Sequence, residues 1–134
     1  MDRFTIDAEG DGFLVTFTGG KLTADVVVSA FRQLQQHGAN HTTPFLMYDL
    51  TAFETFDESP EALHKIALGS LTILNRTNTT HTAVIAPSAA GKSFLKSYAA
   101  VRDHLCSRGY QGISELASFD DVDDARRWAA PPTS

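Results

Sequence analysis

The sequence predicts a single α/β domain with a mostly parallel sheet. Short apolar runs typical of strands alternate with longer segments of helical spacing, in the order ββαβαβαβα. Strands that alternate with helices favour a parallel sheet with right-handed crossovers, and an opening hairpin adds one antiparallel strand. The 134 residues suit one domain with its own core. We expect this domain to span residues 1–130, followed by a frayed tail at 131–134.

The first two strands form a predicted hairpin. Apolar and polar residues alternate over 4–8 and again over 13–17, as in strands with one buried face. The Glu-Gly-Asp-Gly sequence at 9–12 is typical of a tight turn. Gly-Gly at 19–20 is expected to end the hairpin. The exposed edge of the hairpin could pair with a second copy, so a homodimer is one arrangement that the sequence allows.

A helix is predicted after the hairpin. Thr23 is a suitable N-cap, and Asp25 in the first turn suits the helix dipole. Gly38 is expected to end the helix. Its buried stripe consists of Val27, Phe31 and Leu34.

The continuous apolar run at 45–48 predicts a central strand, because burial on both faces removes the alternation of a half-exposed strand. The strand ends on Asp49, and seven residues then lead to Asp57 and Glu58. Open α/β sheets place their working residues where a central strand ends and the next helix begins. We therefore expect Asp49, Asp57 and Glu58 to belong to a binding loop.

The second helix is predicted to begin beside this loop. Ser59 and Pro60 suit its N-cap and first helical position, and helical spacing continues to about Arg76. Gly69 lies in its middle and is a candidate kink. One hypothesis places a lipid or another apolar ligand between this helix and the sheet.

The remaining elements are a strand, a helix, a strand and a short helix. Residues 82–86 form a short buried strand, and Gly109 is expected to stop the amphipathic helix that follows. The last strand is predicted at 113–119. The last helix, at 120–129, is acidic at its start and basic near its end, and Trp128 is expected to pin it to the core.

Composition excludes several classes of partner and compartment. The net charge is −5 with acids and bases interspersed, which argues against non-specific nucleic-acid binding. No apolar run approaches the ~18 residues of a membrane span, and the first residues lack the apolar core of a signal peptide. Cys106 is the only cysteine, so a reducing, cytoplasmic location is expected. We expect Cys106 to be half-buried and inert.

No complete catalytic motif is present, so enzymatic activity is not expected. The acids at 120, 121, 123 and 124 lack the glycine and the distal glutamate of a calcium loop, and a solvated helix start explains them. No metal site and no cofactor are predicted, because the five histidines share no ligand spacing. They are His37, His41, His64, His81 and His104.

Residues 86–93 imitate a phosphate-binding loop. The segment follows a strand and opens a helix, but Ala86 stands where the P-loop requires its first glycine. Lys92 and Ser93 are therefore candidates for a weak anion site, with Asp49 in the place of a magnesium-side aspartate. A nucleotide-binding protein or small hydrolase is the alternative that this segment leaves open. A plain turn between strand and helix is the other interpretation.

The chain resembles STAS domains, the anti-sigma-factor antagonists and their SpoIIAA-like relatives, some of them grouped with the Sec14 lipid-binding fold. In these domains a strand ends in Asp-Leu-Ser and a helix opens with Asp-Ser-Ser-Gly. This chain has Asp-Leu-Thr at 49–51 and Asp-Glu-Ser-Pro at 57–60. Residues 119–128 also resemble the Phe- and Trp-containing close of the SpoIIAA-like branch. The resemblance extends over nearly the whole chain as topology and sparse motifs.

The resemblance implies that Ser59 is the phosphoacceptor and that Asp57 is the acid before it. Glu58 replaces the first serine of the motif, and Pro60 replaces its glycine, which removes a backbone N–H from the loop. Capping alone would also select Ser followed by Pro at a helix start. The leading hypothesis is a non-enzymatic STAS-like binding or regulatory module for a protein partner or a small apolar ligand.

Overall fold

The computed structural model describes residues 4–37, 43–77, 79–108 and 115–129, apart from the side chains of Asn75 and Arg76. The strands in these ranges are β1 (Phe4–Glu9), β2 (Gly12–Phe17), β3 (Gly20–Leu22), β4 (Phe45–Asp49), β5 (Phe53–Phe56), β6 (His81–Ile85) and β7 (Glu115–Phe119). The helices are α1 (Ala24–Gln36), α2 (Pro60–Thr77), α3 (Ala89–Ser107) and α4 (Val122–Ala129).

Within the described ranges, the main sheet has five strands in the order β1-β2-β4-β6-β7. β1 and β2 are antiparallel across a turn in which Gly10 has a φ of 57°, a conformation that glycine adopts without strain. The other neighbours are parallel. β4 lies in the centre, and Phe45, Leu46, Met47 and Tyr48 are all buried. The predicted α/β class, with one antiparallel hairpin in a mostly parallel sheet, is confirmed.

A second, two-stranded sheet was not predicted. Gly-Gly at 19–20 does not simply end the hairpin, because Gly20 opens β3, which pairs in parallel with β5. The connection between Asp49 and Asp57 is likewise not a plain loop, because β5 occupies its middle. The Asp57 N–H donates to the Leu22 carbonyl at 2.9 Å and extends this pairing by one bond.

The two faces of the main sheet carry cores of different size. Helices α1, α2 and α3 cover one face with the larger core. On the other face α4 covers a smaller apolar cluster that includes Met47 and Ile85. Trp128 joins this cluster with its ring 5.5 Å from that of Phe119, as expected for the last helix.

Several predicted helix signals are confirmed at residue level. Thr23 caps α1 by accepting a hydrogen bond from the Val26 N–H at 3.4 Å. α2 begins at Pro60, the predicted first helical position, and runs to Thr77. Cys106 is half-buried as expected.

Other predicted boundaries differ or were not tested. Strand β6 begins and ends one residue before the predicted 82–86. Helix α4 begins at Val122 rather than at 120. The predicted helix ends at Gly38 and Gly109, the start of the last strand at 113 and the frayed tail at 131–134 lie outside the described residues.

Candidate functional site

Polar side chains gather where β4 ends and α2 begins, in residues 49–61, which we call the β4–α2 segment. Oδ1 of Asp49 accepts hydrogen bonds from the Thr51 N–H at 2.9 Å and from the Thr51 hydroxyl at 2.5 Å. The Leu50 N–H donates to the Ile85 carbonyl at 2.9 Å. The half-buried Asp49 is therefore engaged in turning the chain at the strand end.

Strand β5 forms the middle of the segment, and its phenylalanine rings anchor it to the core. A chain of ring contacts crosses the core beneath it, with centroid separations of 5.1, 5.9 and 5.3 Å for Phe17–Phe53, Phe53–Phe56 and Phe56–Phe94. Aromatic pairs of this kind contribute about 0.5–1.5 kcal/mol each beyond their burial. Glu54 and Thr55 remain exposed on the outer side. The segment thus has an exposed face on a fixed backbone.

Ser59 is the N-cap of α2. Its Oγ accepts a hydrogen bond from the Ala62 N–H at 3.3 Å, and its carbonyl accepts one from the Leu63 N–H at 3.0 Å. The Ser59 N–H in turn donates to Oδ1 of Asp57 at 3.0 Å. The residue is exposed, so the hydroxyl performs a capping role and still faces solvent.

Asp57 is stabilised in its charged form. The pKa of this carboxyl lies below its ordinary value of 3.8, chiefly because the backbone N–H of Ser59 donates to it. A side-chain hydrogen bond from Ser59 and the nearby charge of Lys21 add to the lowering. Asp57 is therefore a carboxylate at neutral pH, beside the hydroxyl of the expected phosphoacceptor.

Glu58 connects the segment to helix α3. Its Oε1 accepts hydrogen bonds from the Ser97 hydroxyl at 3.0 Å and from the Ser93 hydroxyl at 3.4 Å. Ser93, a candidate for anion binding, therefore already donates to an anionic side chain. The sequence places Ser93 and Ser97 one helical turn apart, but no local pattern indicates that Glu58 lies opposite them.

Lys92, the other anion-site candidate, bridges two strand ends. Its Nζ donates to Oδ1 of Asp120 at 2.8 Å and to the carbonyls of Pro87 and Ala86 at 2.9 and 3.2 Å. A phosphate at this position would have to compete with three oxygen partners. Nucleotide binding remains a prediction, and a thermal shift with millimolar ATP or GTP and magnesium tests it.

A cavity of about 50 Å³ lies between the sheet and helices α1, α2 and α3. Its lining is mostly apolar and includes Phe17, Phe31, Leu50, Val84 and Phe94. Ser70 and Tyr98 add two hydroxyls, which hydrogen bond to each other at 2.7 Å.

Two buried tyrosines line this cavity. Burial raises the pKa of both Tyr48 and Tyr98 above the ordinary value of 10.0. The charge of Arg102, itself 5% exposed, opposes both shifts, and its side chain hydrogen bonds to Tyr98. Both phenols therefore stay protonated at neutral pH. Sequence reasoning missed this cluster, because Tyr98 and Arg102 on α3 look like ordinary members of a helix.

The acids at the start of α4 have structural partners. Oδ1 of Asp121 accepts a hydrogen bond from the Asp124 N–H at 2.8 Å. Asp123 and Asp124 pair with Arg126 and Arg127, respectively. Within the described ranges, no three His, Cys, Asp or Glu side chains are placed to hold a metal ion. No helix in those ranges is both long enough and apolar enough to cross a membrane.

The fold is similar to that of a solved protein. No protein-family model matches the sequence, and no curated protein matches it either. A crystal structure of an uncharacterized protein from the DUF3478 family of Shewanella loihica PV-4, described as having a SpoIIAA-like fold, matches with a TM-score of 0.55 and 21% sequence identity. The match covers 95% of this chain and 92% of that chain. The chain therefore has a SpoIIAA-like fold, as its sequence motifs predicted.

Proposed function

We propose that the chain is a non-catalytic binding module and that its β4–α2 segment recognises a protein partner. The observation that carries this proposal is an exposed segment held in one conformation. Asp49, Asp57 and Glu58 fix its ends by hydrogen bonds, and the rings of Phe53 and Phe56 fix its middle. A surface ordered before binding loses little conformational entropy when the partner arrives.

The charge of the segment indicates the chemistry of that partner. Glu54, Glu58 and Glu61 are exposed, and Asp57 is charged beside them. A surface with Lys or Arg side chains is complementary to this face. The expected partner is a protein in the same reducing, cytoplasmic compartment, a location that the lone cysteine supports.

Ser59 is the phosphoacceptor in this proposal. A phosphate on its exposed Oγ would lie at the N-terminus of α2, where the helix dipole favours negative charge. It would also lie beside the Asp57 carboxylate and enlarge the acidic face. Phosphorylation is therefore expected to change the affinity for a basic partner without refolding the module.

A photo-crosslinking side chain at position 54 tests the proposed surface. Glu54 is exposed in the middle of the segment, and Asp25 on α1 is an exposed control position of the same charge. In a lysate of the source organism, we expect position 54 to capture a defined protein that position 25 does not. Capture of that protein should fall after Glu61→Lys. Identical captures at both positions would reject the surface.

A second candidate function, binding of a small apolar ligand, is favoured by the cavity under α2. Its volume of about 50 Å³ is far below the ~300 Å³ at which ligand pockets begin, so a lipid would require the helices to separate. Only a small occupant fits the closed structure. Apolar-ligand carriage is therefore proposed for small ligands alone.

Native mass spectrometry and xenon binding test this second candidate. A copurified ligand would appear as added mass in freshly prepared protein. Xenon should shift NMR signals of Val84 and Phe94, and Val84→Ile should reduce the shift by filling the cavity. A ligand-free mass together with no xenon response would reject it, while the crosslinking result on the β4–α2 segment would stand.

A further inference from the structure

Strand β7 is one edge of the main sheet and has no strand partner on its outer side among the described residues. Its backbone hydrogen bonds to the β6 side of the sheet show which backbone groups of β7 face inward. The Glu115 N–H donates to the Thr80 carbonyl, and the Phe119 carbonyl accepts from the Ala86 N–H. Because successive strand residues direct these groups to opposite sides, Leu116 and Ser118 direct theirs outward.

A groove of about 250 Å³ runs between this edge and helix α3. The helix is antiparallel to β7, since Lys92 near its start pairs with Asp120 just after the end of β7. A helix rises about 1.5 Å per residue and a strand about 3.3 Å. The seven residues from Lys92 to Ala99 therefore rise roughly 10 Å along the helix. The three residues from Asp120 back to Ala117 also cover roughly 10 Å along the strand, so Ala99 lies beside Ala117.

The face of α3 beside the groove has a symmetric charge pattern. Lys96 and Ala99 line the groove, and Asp103 follows on the same helix face at a spacing of seven residues from Lys96. Lys96 and Asp103 are exposed, and neither forms an ion pair within the described part of the chain. Ala99 and Ala100, two small residues, lie midway between these opposite charges.

We propose that β7 and α3 form a two-fold homodimer interface with a second copy of this chain. With the axis at Ala117, β7 pairs antiparallel with the partner's β7. Leu116 then exchanges two backbone hydrogen bonds with the partner's Ser118, and the symmetric pair adds two more. The same axis places Lys96 opposite the partner's Asp103 and Asp103 opposite the partner's Lys96. Ala99 and Ala100 lie between these two ion pairs, near the axis. The outward backbone groups of Leu116 and Ser118 thus all meet a complement, as an isologous interface requires.

The other edge of the sheet is less suited to this pairing. β1 carries the exposed Asp7, and Glu9 is already held by Arg126 at 2.6 Å. Charged residues of this kind keep edge strands from pairing with one another. β7 carries one charged residue, Glu115 at its start beside His81, and none from Leu116 to Phe119. The homodimer therefore uses β7 rather than the edge of the hairpin, and it does not depend on the proposed function.

Sedimentation equilibrium with charge reversals tests the interface. The contact is small, so we expect wild-type dissociation constants between about 10 µM and 1 mM. Lys96→Glu and Asp103→Lys should each weaken the dimer by about tenfold, because each places two like-charge pairs in it. The double variant should return to within about threefold of wild type. Lys65→Glu, a charge reversal at an exposed position on α2, should leave the dissociation constant unchanged.

Disulfide trapping tests the axis itself. Across the proposed axis, Ala117 faces the partner's Ala117 in a non-hydrogen-bonded pair, with Cα atoms about 4.5 Å apart. That separation permits a disulfide. In a Cys106→Ser background, Ala117→Cys should give an oxidised dimer, and the control Ala8→Cys on the exposed side of β1 should not.

Two outcomes overturn the proposal. A wild-type chain that remains monomeric at about 1 mM excludes the dimer, and the groove would then be open to an extended peptide of another protein. A dimer that is equally stable in Lys96→Glu, and that is trapped by Ala8→Cys rather than by Ala117→Cys, excludes this interface. Restoration by the double reversal supports it, since unfolding of the single variants would not be reversed by a second surface charge.

Discussion

Ser59 has a structural role that does not depend on its binding a partner. Its Oγ caps α2, and its N–H holds the Asp57 carboxylate, so the residue type is explained by local structure alone. Structure and regulation can be separated only by substitutions that preserve one role and alter the other. Aspartate is the suitable replacement, because it caps helices as well as serine does and adds charge.

We expect Ser59→Ala to lower the free energy of unfolding by about 1 kcal/mol, because the Ala62 N–H loses its acceptor. Ser59→Asp should stay within about 0.5 kcal/mol of wild type, because the cap is retained. Urea unfolding followed by circular dichroism measures both. If Ser59→Asp alters partner capture while its stability is unchanged, the regulatory role is supported. Equal losses in the two variants would contradict the capping argument.

The lowered pKa of Asp57 predicts a pH-dependent contribution to stability. A carboxyl whose folded pKa lies below its unfolded value stabilises the fold above the unfolded pKa, and the contribution is lost as pH falls through the folded pKa. The difference in unfolding free energy between wild type and Asp57→Asn should therefore be constant above about pH 5 and shrink below about pH 4. A difference that grows on acidification would contradict this. NMR titration of the carboxyl group locates the window directly.

The sequence predicted that Ser59 caps α2, but it assigned Asp49 and Asp57 to a binding loop without a structural role. Each of the three side chains accepts a hydrogen bond from a backbone N–H two or three residues further along the chain. The contact between Glu58 and Ser97 joins residues that are far apart in the sequence. Such a contact depends on how helices pack and leaves no local pattern.

At the scale of elements, strands β3 and β5 were not predicted, because they too lack a local sequence pattern. β3 has three residues and β5 has four, too few to show a periodicity. In β5 the buried Phe53 and the half-buried Phe56 are three apart, which does not match strand alternation. The five strands of the main sheet and the four helices have longer or more regular patterns, and these were found.

Gly69 lets α1 and α2 approach closely. A Cβ at this position would lie 2.9 Å from Cδ2 and 3.2 Å from Cε2 of Phe31, whose ring is buried against Tyr48. The sequence suggested a kink here, but the helix continues through it. The close approach of Phe31 is a packing reason for glycine at this position.

We expect Gly69→Ala to lower the unfolding free energy by about 1 kcal/mol, even though alanine is the better helix former. The gain in helix propensity is about 1 kcal/mol, and overpacking a core costs roughly 1–3 kcal/mol. In a Phe31→Leu background the ring is absent, and the same substitution should stabilise. Urea titrations of the four proteins give the comparison. Stabilisation by Gly69→Ala in both backgrounds would show that the glycine is not needed for packing.

At the scale of the molecule, the two faces of the sheet are protected unequally. Three long helices cover one face, whereas the eight-residue α4 covers the apolar cluster on the other. Arg126 fastens α4 to Glu9 of β1 through two hydrogen bonds of 2.6 and 3.2 Å. The carboxylate of Glu9 raises the pKa of Arg126 in return. The closing helix and the opening hairpin therefore depend on each other.

This arrangement makes the fold sensitive to a charge under α4. Ala125 is fully buried against the cluster that contains Met47 and Ile85. We expect Ala125→Asp to lower the unfolding free energy by at least about 3 kcal/mol, because the carboxylate must be desolvated or the helix must leave the sheet. Detachment would expose the cluster and raise the fluorescence of a hydrophobic dye, with most helical signal retained in α1, α2 and α3.

Arg127→Asp on the exposed side of α4 is the control and should cost less than about 1 kcal/mol. Equal losses from the two substitutions would mean that α4 contributes as a surface helix rather than as the cover of a second core.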